Sequence, residues 1–166
     1  MKVYKFGGAS VKDANGVRNL HKIISNSNDN LVVVISAMGK TTNALELVVN
    51  SFFNHKSDTE ALLKKVVDYH ENIINDLFGA NRTEIDSHIN GLYEKINGIL
   101  SDKPSLSYDY EYDRIVSFGE LISTTIVACY LKYQGLNADW IDIRECIITD
   151  SNHRDANVNI ELSSKF

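Results

Sequence analysis

The chain opens with Met1-Lys-Val-Tyr-Lys-Phe-Gly-Gly-Ala-Ser10, a stretch that places a short strand, a lysine and two glycines directly before a helix. β-branched and aromatic side chains as far as Phe6 predict a buried strand. Because Gly7 and Gly8 have no Cβ, their backbone N–H groups can approach a ligand closely. An anion above this turn would meet those N–H donors and the Lys5 ammonium. The stretch predicts a phosphate-binding turn, although a plain strand-to-helix connection would use the same residues.

The chain begins with two units that each consist of a strand, a turn and a helix. In the first unit, Ser10 is expected to cap a helix over Val11 to Ser25, whose apolar residues recur at helical spacing. Leu31 to Ile35 is a continuous apolar run, typical of a strand covered on both faces. Ser36 to Asn43 then turns into another helix. Two such units favour right-handed crossovers and a mainly parallel sheet with helices on both faces.

The remaining chain is predicted to be largely helical, with a return to β structure near its end. Gly135 is expected to stop the last long helix. The predicted helices are Asp58 to Phe78, Ile85 to Leu100 and Asp109 to Tyr133, and the predicted β segments are Ala138 to Ile143 and Cys146 to Thr149.

Composition narrows the class of protein. The 166 residues are 43% hydrophobic and 23% charged, which suits one globular domain. A net charge of −5 without a basic stripe argues against nucleic acid as a partner. The only cysteines, Cys129 and Cys146, lack metal-ligand spacing, so we assign no metal-ligating residues and expect a reduced, cytoplasmic protein. The apolar runs are shorter than the ~20 residues that cross a bilayer, so no membrane partner is expected.

Polar side chains follow the second predicted strand. Ser36, Thr41 and Thr42 lie beyond its carboxyl end, where open α/β sheets collect ligands. They could bind a carboxylate or a phosphate, or cap the next helix. Gly39-Lys-Thr41 is similar to part of a Walker A loop, but Val34 stands where that loop needs its first glycine. A P-loop is therefore disfavoured.

Glu120 is a charged residue within the apolar run Ile115 to Cys129. An ionised carboxylate there is costly unless it meets a cation or hydrogen-bond donors, and the amine of a ligand could be that cation. A surface glutamate beside a helix crossing at Gly119 explains the sequence equally well. Gly119 in a helix is itself costly without a packing reason.

Two further patterns receive no catalytic role. His70-Glu71 suggests a zinc-binding helix, but Ile74 occupies the position of the second histidine, and we expect the pair to be solvated. Tyrosines alternate with acidic residues from Tyr108 to Asp113, which we interpret as exposed loop packing, with a rim or an interface as the alternative.

Four ordered blocks resemble aspartate kinases, members of the amino acid kinase family. The resemblance implies a three-layer α/β/α sandwich with a mainly parallel sheet, the carbamate kinase-like fold. It also implies phosphorylation of the aspartate side-chain carboxylate with ATP and Mg²⁺, the first step of lysine, threonine and methionine biosynthesis. The blocks are Lys5-Phe-Gly-Gly-Ala-Ser-Val11, Val34-Ile-Ser-Ala-Met-Gly-Lys-Thr-Thr-Asn43, Ser117-Phe-Gly-Glu-Leu-Ile-Ser123 and Trp140-Ile-Asp-Ile-Arg144 with Thr149-Asp150.

The resemblance also implies roles for individual residues. At the phosphate side, Lys5 would stabilise the transferring phosphoryl group, which is electrostatic catalysis. Ala9 stands where the family usually has threonine, a departure of little expected consequence. The other implied phosphate-site residues are Gly7, Gly8 and Ser10.

At the acceptor side, the resemblance implies that Ser36 and Thr42 contact L-aspartate. It implies that Glu120 holds the α-amino group of aspartate, which would answer the question of the charge within an apolar run.

The family's second catalytic block, a glycine-rich stretch with an arginine and an aspartate, is expected beyond Phe166, as are ACT regulatory domains. Residues 1–166 are thus expected to be the N-terminal portion of the kinase catalytic domain, an incomplete sandwich with little or no activity alone, from a full-length protein that forms a homo-oligomer. Another amino acid kinase, acting on glutamate, acetylglutamate, carbamate or nucleotides, is the alternative. A non-enzymatic assembly module that pairs through an exposed sheet edge is a third possibility.

Overall fold

The computed structural model describes residues 1–165, which form a small parallel sheet and a larger set of helices. The strands are β1 (Lys2–Phe6) and β2 (Leu31–Ile35). The helices are α1 (Ala14–Ser25), α2 (Thr41–Phe53), α3 (Thr59–Phe78), α4 (Thr83–Ser101), α5 (Tyr108–Val116), α6 (Phe118–Tyr133) and the short α7 (Ile160–Ser163). Two 3₁₀ helices span Gly8–Val11 and Ile143–Glu145.

The two strands are parallel neighbours, paired from Lys2 opposite Leu31 to Phe6 opposite Ile35. Helix α1 connects them, so the predicted strand-helix-strand unit is confirmed. One face of this sheet is open: Val32 and Val34 are 44% and 47% exposed. The prediction that β2 is covered on both faces is therefore wrong for residues 1–165. A continuous apolar run does not tell which face has a neighbour.

Helix α1 is capped by Asp13 rather than by Ser10. The Asp13 carboxylate accepts a hydrogen bond from the Gly16 N–H at 2.8 Å, which satisfies one of the unpaired donors of the first turn. Ser10 belongs instead to the 3₁₀ helix Gly8–Val11. The predicted cap was wrong because an extra tight turn separates the strand from the helix.

The predicted long helix over Asp109 to Tyr133 is two helices, α5 and α6, joined at Ser117. Ser117 keeps helical dihedral angles, φ −57° and ψ −21°, so the interruption is local. Gly119, a poor helix former, lies two residues further along, in the first turn of α6. The tyrosines at 108, 110 and 112 lie on α5 rather than in a loop, which corrects that interpretation.

The stretch Tyr108–Tyr133 is long and apolar enough to cross a membrane by length and composition alone. Within the fold, however, 67% of its most apolar window is buried. Helix α6 carries apolar side chains around its whole circumference, as the core helix of a globular domain does. Burial among the other helices therefore accounts for its hydropathy.

The β structure predicted after Gly135 is wrong. Residues 138–142 are irregular and Ile143–Glu145 is a 3₁₀ helix, while Thr149 makes only an isolated antiparallel bridge with Val158. Ile141 and Ile143 are 69% and 60% exposed. A strand needs a hydrogen-bonding neighbour, and within residues 1–165 this segment has none beyond that one bridge.

The core lies between the helices and the covered face of the sheet. Helices α3 and α4 match the predictions closely, and Gly135 has the left-handed φ of +84° expected at a helix stop. Helix α6 contacts α2, α3, α4, α5 and strand β2. Its N-terminal turn thereby reaches the carboxyl end of β2, where the sequence predicted a site.

Candidate functional site

Two turns meet at the carboxyl ends of the strands. We call residues 7–10 the diglycine turn and residues 36–41 the second turn. The Gly39 N–H donates to the Gly8 carbonyl at 2.9 Å, and a Cβ on Gly8 would lie only 2.4 Å from the Ala37 carbonyl oxygen. Only glycine allows this approach of one backbone to the other. The turns thus form one continuous surface, at the sheet edge where ligands collect in open α/β folds.

Lys5 lies beside the diglycine turn. Its Nζ is 3.6 Å from the position that a Cβ on Gly7 would occupy. The Lys5 side chain is exposed, which corrects the prediction of a buried strand at this position. It is exposed because Lys5 pairs with Val34 in the register and shares the open part of the sheet. An anion seated on the turn would therefore meet an accessible ammonium group.

Glu120 connects α6 to the second turn. Its Oε1 accepts a hydrogen bond from the Ala37 N–H at 3.2 Å, and the residue is half-buried. The donor that this charge requires is thus a backbone amide of the second turn. A Cβ on Gly119 would lie 3.0 Å from Ala37 Cβ, so the helix crossing that we inferred for Gly119 packs against the same turn. The packing interpretation of Gly119 is thus confirmed, and a contact of Glu120 with a ligand amine stays a prediction.

Ser123 makes a second contact between α6 and this turn. Its hydroxyl donates to the Ser36 carbonyl oxygen at 2.8 Å and is fully buried. The sequence placed Ser123 in the third block without indicating a role for it. The available signal was its position three residues after Glu120, which puts both on one face of the helix.

Helix α3 supports the second turn from the other side. Thr41 Oγ1 donates to the Met38 carbonyl oxygen at 2.7 Å and lies 3.3 Å from His70 Nε2. Tyr69 donates its hydroxyl hydrogen to the Lys12 carbonyl oxygen and contacts Gly39, which has a φ of +57°. Thr41 does not cap the next helix, because α2 begins without a side-chain cap and the buried Thr41 hydroxyl donates within the turn instead.

His70 is completely buried, so the prediction that it is solvated is wrong. Burial lowers the pKa of His70 to about 4, because the charged imidazolium would lose its hydration. In the neutral ring, Nδ1 lies 2.7 Å from the Val66 carbonyl oxygen and donates to it, which leaves Nε2 as an acceptor. Nε2 and the Met38 carbonyl oxygen therefore share the single hydroxyl hydrogen of Thr41 as alternative acceptors. Its position on the apolar face of α3 was the missed signal.

The remaining predicted residues surround this centre. Ser36 is half-buried at the start of the second turn, and Thr42 is half-buried in the first turn of α2. Helix α2 follows the carboxyl end of β2, so the positive end of its dipole lies at the same edge, and no side chain caps its first turn. Ser10 is exposed on the 3₁₀ helix. The geometry thus brings together a cation, backbone N–H donors, hydroxyls and one carboxylate, a set that can hold an anionic and an amine-bearing ligand side by side.

Comparison with known proteins identifies the family. The profile of the amino acid kinase family matches residues 1–165. The chain belongs to the amino acid kinase family. Within it, the sequence is similar to aspartokinases: it is 34% identical to chloroplastic aspartokinase 2 of Arabidopsis thaliana over 86% of this chain and 26% of that protein. It is 28% identical to the aspartokinase of Chlamydia pneumoniae over 96% of this chain and 34% of that protein.

Solved structures of an amino acid kinase share the fold. Aspartokinase III of Escherichia coli in complex with lysine and aspartate superposes with a TM-score of 0.86 at 26% identity, over 99% of this chain and 36% of that one. The same enzyme in complex with aspartate and ADP gives a TM-score of 0.87 at 23% identity. The incomplete α/β architecture expected from the sequence is confirmed. The chain spans about a quarter to a third of the length of these relatives.

Proposed function

We propose that residues 1–166 are the N-terminal portion of the catalytic domain of an aspartate kinase. The observation that carries this proposal is the convergence of three segments at one sheet edge, through the Gly39–Gly8 and Ala37–Glu120 hydrogen bonds. The aspartokinases among the relatives, and the aspartate and ADP bound in structures of similar fold, support it.

The proposed reaction transfers the γ-phosphoryl group of MgATP to the β-carboxylate of aspartate. A carboxylate oxygen attacks the γ-phosphorus, the bond to the β,γ-bridging oxygen breaks, and aspartyl phosphate and ADP are formed. Negative charge on the transferring group is met by the Lys5 ammonium and by N–H groups of Gly7 and Gly8, with Ser10 beside them. Mg²⁺ bound with the nucleotide would neutralise part of the phosphate charge, and we assign no residue of this chain to it.

The acceptor half of the site is proposed to consist of Ser36, Thr42 and Glu120. A carboxylate offers about four lone-pair sites, so the bond that Glu120 accepts from Ala37 leaves acceptor capacity for a substrate ammonium. The hydroxyls and the uncapped start of α2 suit a substrate carboxylate. Oriented this way, aspartate would direct its side chain toward the diglycine turn.

The wider setting follows from the same proposal. An aspartate kinase begins the synthesis of lysine, threonine and methionine, and we propose a cytoplasmic location and a homo-oligomeric full-length protein. Neither nucleic acid nor a membrane is proposed as a partner.

The test is acceptor selectivity in the full-length polypeptide that carries this sequence. ADP release is measured with aspartate, glutamate, acetylglutamate and carbamate. We expect aspartate to be preferred and Glu120→Gln to raise the KM for aspartate by about 10- to 100-fold, because a charged hydrogen bond is lost, with the KM for ATP nearly unchanged. Glu60→Gln, on the exposed start of α3, is the matched control. Preference for another acceptor would contradict the proposal.

A further inference from the structure

A second group of reactive side chains lies on the other side of α6. Helices α4 and α6 pack together and border a cleft of about 380 Å³. Glu84, His88 and Cys129 line this cleft, together with Trp140. The side-chain donor atoms of the first three all lie within 4.8 Å of one another. Nothing in the proposed phosphoryl transfer uses them.

The backbone places these donors together. Glu84 and His88 are four residues apart on α4, so they point to the same side, one turn above the other. Cys129 is half-buried on α6 and faces them across the helix pair. The sequence alone does not indicate this group, because two of its side chains come from one helix and the third comes from a helix far along the chain.

We propose that Glu84, His88 and Cys129 form a binding site for a divalent cation of the zinc type. Carboxylate, imidazole and thiolate are the three protein ligands that Zn²⁺ accepts, whereas a thiolate disfavours Mg²⁺ and Ca²⁺. Two of these ligands are anionic once the thiol is deprotonated, so they neutralise a dication. Three protein ligands leave the fourth tetrahedral position for water on the open side of the cleft.

The distances require only a small adjustment. Bonds of about 2.0–2.3 Å in a tetrahedral site put neighbouring ligand atoms about 3.3–3.8 Å apart. The three donor atoms, which lie within 4.8 Å of one another, therefore need to approach each other by roughly an ångström. Glu84 and His88 are exposed and free to change rotamer, while Cys129 sits on the more rigid core helix. Lys95 and Lys132 also border the cleft, and both are long, exposed side chains that can turn toward water.

The test uses Co²⁺ and Zn²⁺ with the 166-residue chain, folded as judged by circular dichroism. Co²⁺ bound to a thiolate gives a charge-transfer absorption band, and Trp140, the only tryptophan, reports occupancy of the cleft by its fluorescence. We expect one metal per chain. Cys129→Ser should abolish the charge-transfer band, and Glu84→Gln should weaken binding by at least about tenfold.

Matched controls separate this site from adventitious binding. Cys146→Ser removes the other cysteine, and Glu94→Gln removes an exposed glutamate on the same helix; both should bind Co²⁺ as the parent chain does. In the unmodified chain, Zn²⁺ should slow alkylation of Cys129 by iodoacetamide and leave Cys146 unaffected. An absent charge-transfer band, equal binding by Cys129→Ser, or equal protection of both cysteines would overturn the proposal.

Discussion

At the scale of single residues, Gly8 is the tightest point of the site. A Cβ at this position would lie 2.4 Å from a backbone carbonyl of the second turn, and neither backbone can yield without separating the turns. Gly8→Ala should therefore lower the free energy of unfolding by about 1–3 kcal/mol, the range for overpacking. Urea denaturation measures this. Gly98→Ala, at an exposed helical position with open space around it, is the control and should be neutral or slightly stabilising.

His70 gives a second prediction at this scale. Its pKa is about 4 in the folded chain, against 6.5 for an ordinary solvated histidine, so the unfolded chain binds more protons between these values. The contribution of neutral His70 to the free energy of unfolding is fully present above pH 6.5. The free energy of unfolding should therefore fall by up to roughly 3 kcal/mol as the pH drops to 4. Chemical denaturation at several pH values should show a smaller fall for His70→Gln than for the parent chain. An equal fall in both would contradict the assigned burial.

The sequence indicates candidate reactive residues but not the contacts that support them. Residue type and local order single out Lys5, Gly7, Gly8 and Glu120, and their roles stay predictions. The supporting contact of His70 with Thr41 joins residues far apart in the chain, and no local pattern encodes such a contact. The exposure of Lys5 was missed for the same reason, since it depends on which neighbour covers the sheet.

At the scale of elements, the open sheet face is the feature with measurable consequences. Val3, Val32 and Val34 are 64%, 44% and 47% exposed on adjacent paired strands, an apolar surface that favours association. Val32→Thr with Val34→Thr keeps β-branching and adds polarity. We expect less association at high concentration by light scattering, with stability within about 0.5 kcal/mol of the parent.

Val17→Thr is the contrasting variant. Val17 is fully buried in α1, so the same chemical change should destabilise the chain by about 1–3 kcal/mol. If the two surface substitutions were as damaging as this one, or left association unchanged, the open face would not be the associating surface.

Helices were predictable where an apolar period persisted over many residues, as in α3 and α4. The segment after Gly135 shows the limit of that approach. Its β-branched residues favour a strand, but a strand forms only beside a partner, and the choice of partner is a property of the tertiary fold. The break at Ser117 was missed because an apolar run continues through it.

At the scale of the whole molecule, the chain covers 26% and 34% of the Arabidopsis thaliana and Chlamydia pneumoniae aspartokinases described above. From the resemblance to the family, we expect the arginine that binds the α-carboxylate of aspartate to lie beyond Phe166. We expect the same of most of the nucleotide pocket. We therefore predict little or no aspartate-dependent ADP release from the purified, folded 166-residue chain. A coupled assay that detected turnover by this chain would refute the prediction.

We expect Lys5 to act on the phosphoryl group at the diglycine turn, and a comparison of two lysine variants tests this role. Aspartate-dependent ADP release is measured for the full-length polypeptide, for Lys5→Ala and for Lys2→Ala, an exposed lysine on the same strand that pairs with Asp29 at 2.6 Å. We predict that Lys5→Ala lowers kcat by about 10²–10³-fold while Lys2→Ala stays within about twofold of the parent. Equal activity in the two variants would contradict the claim.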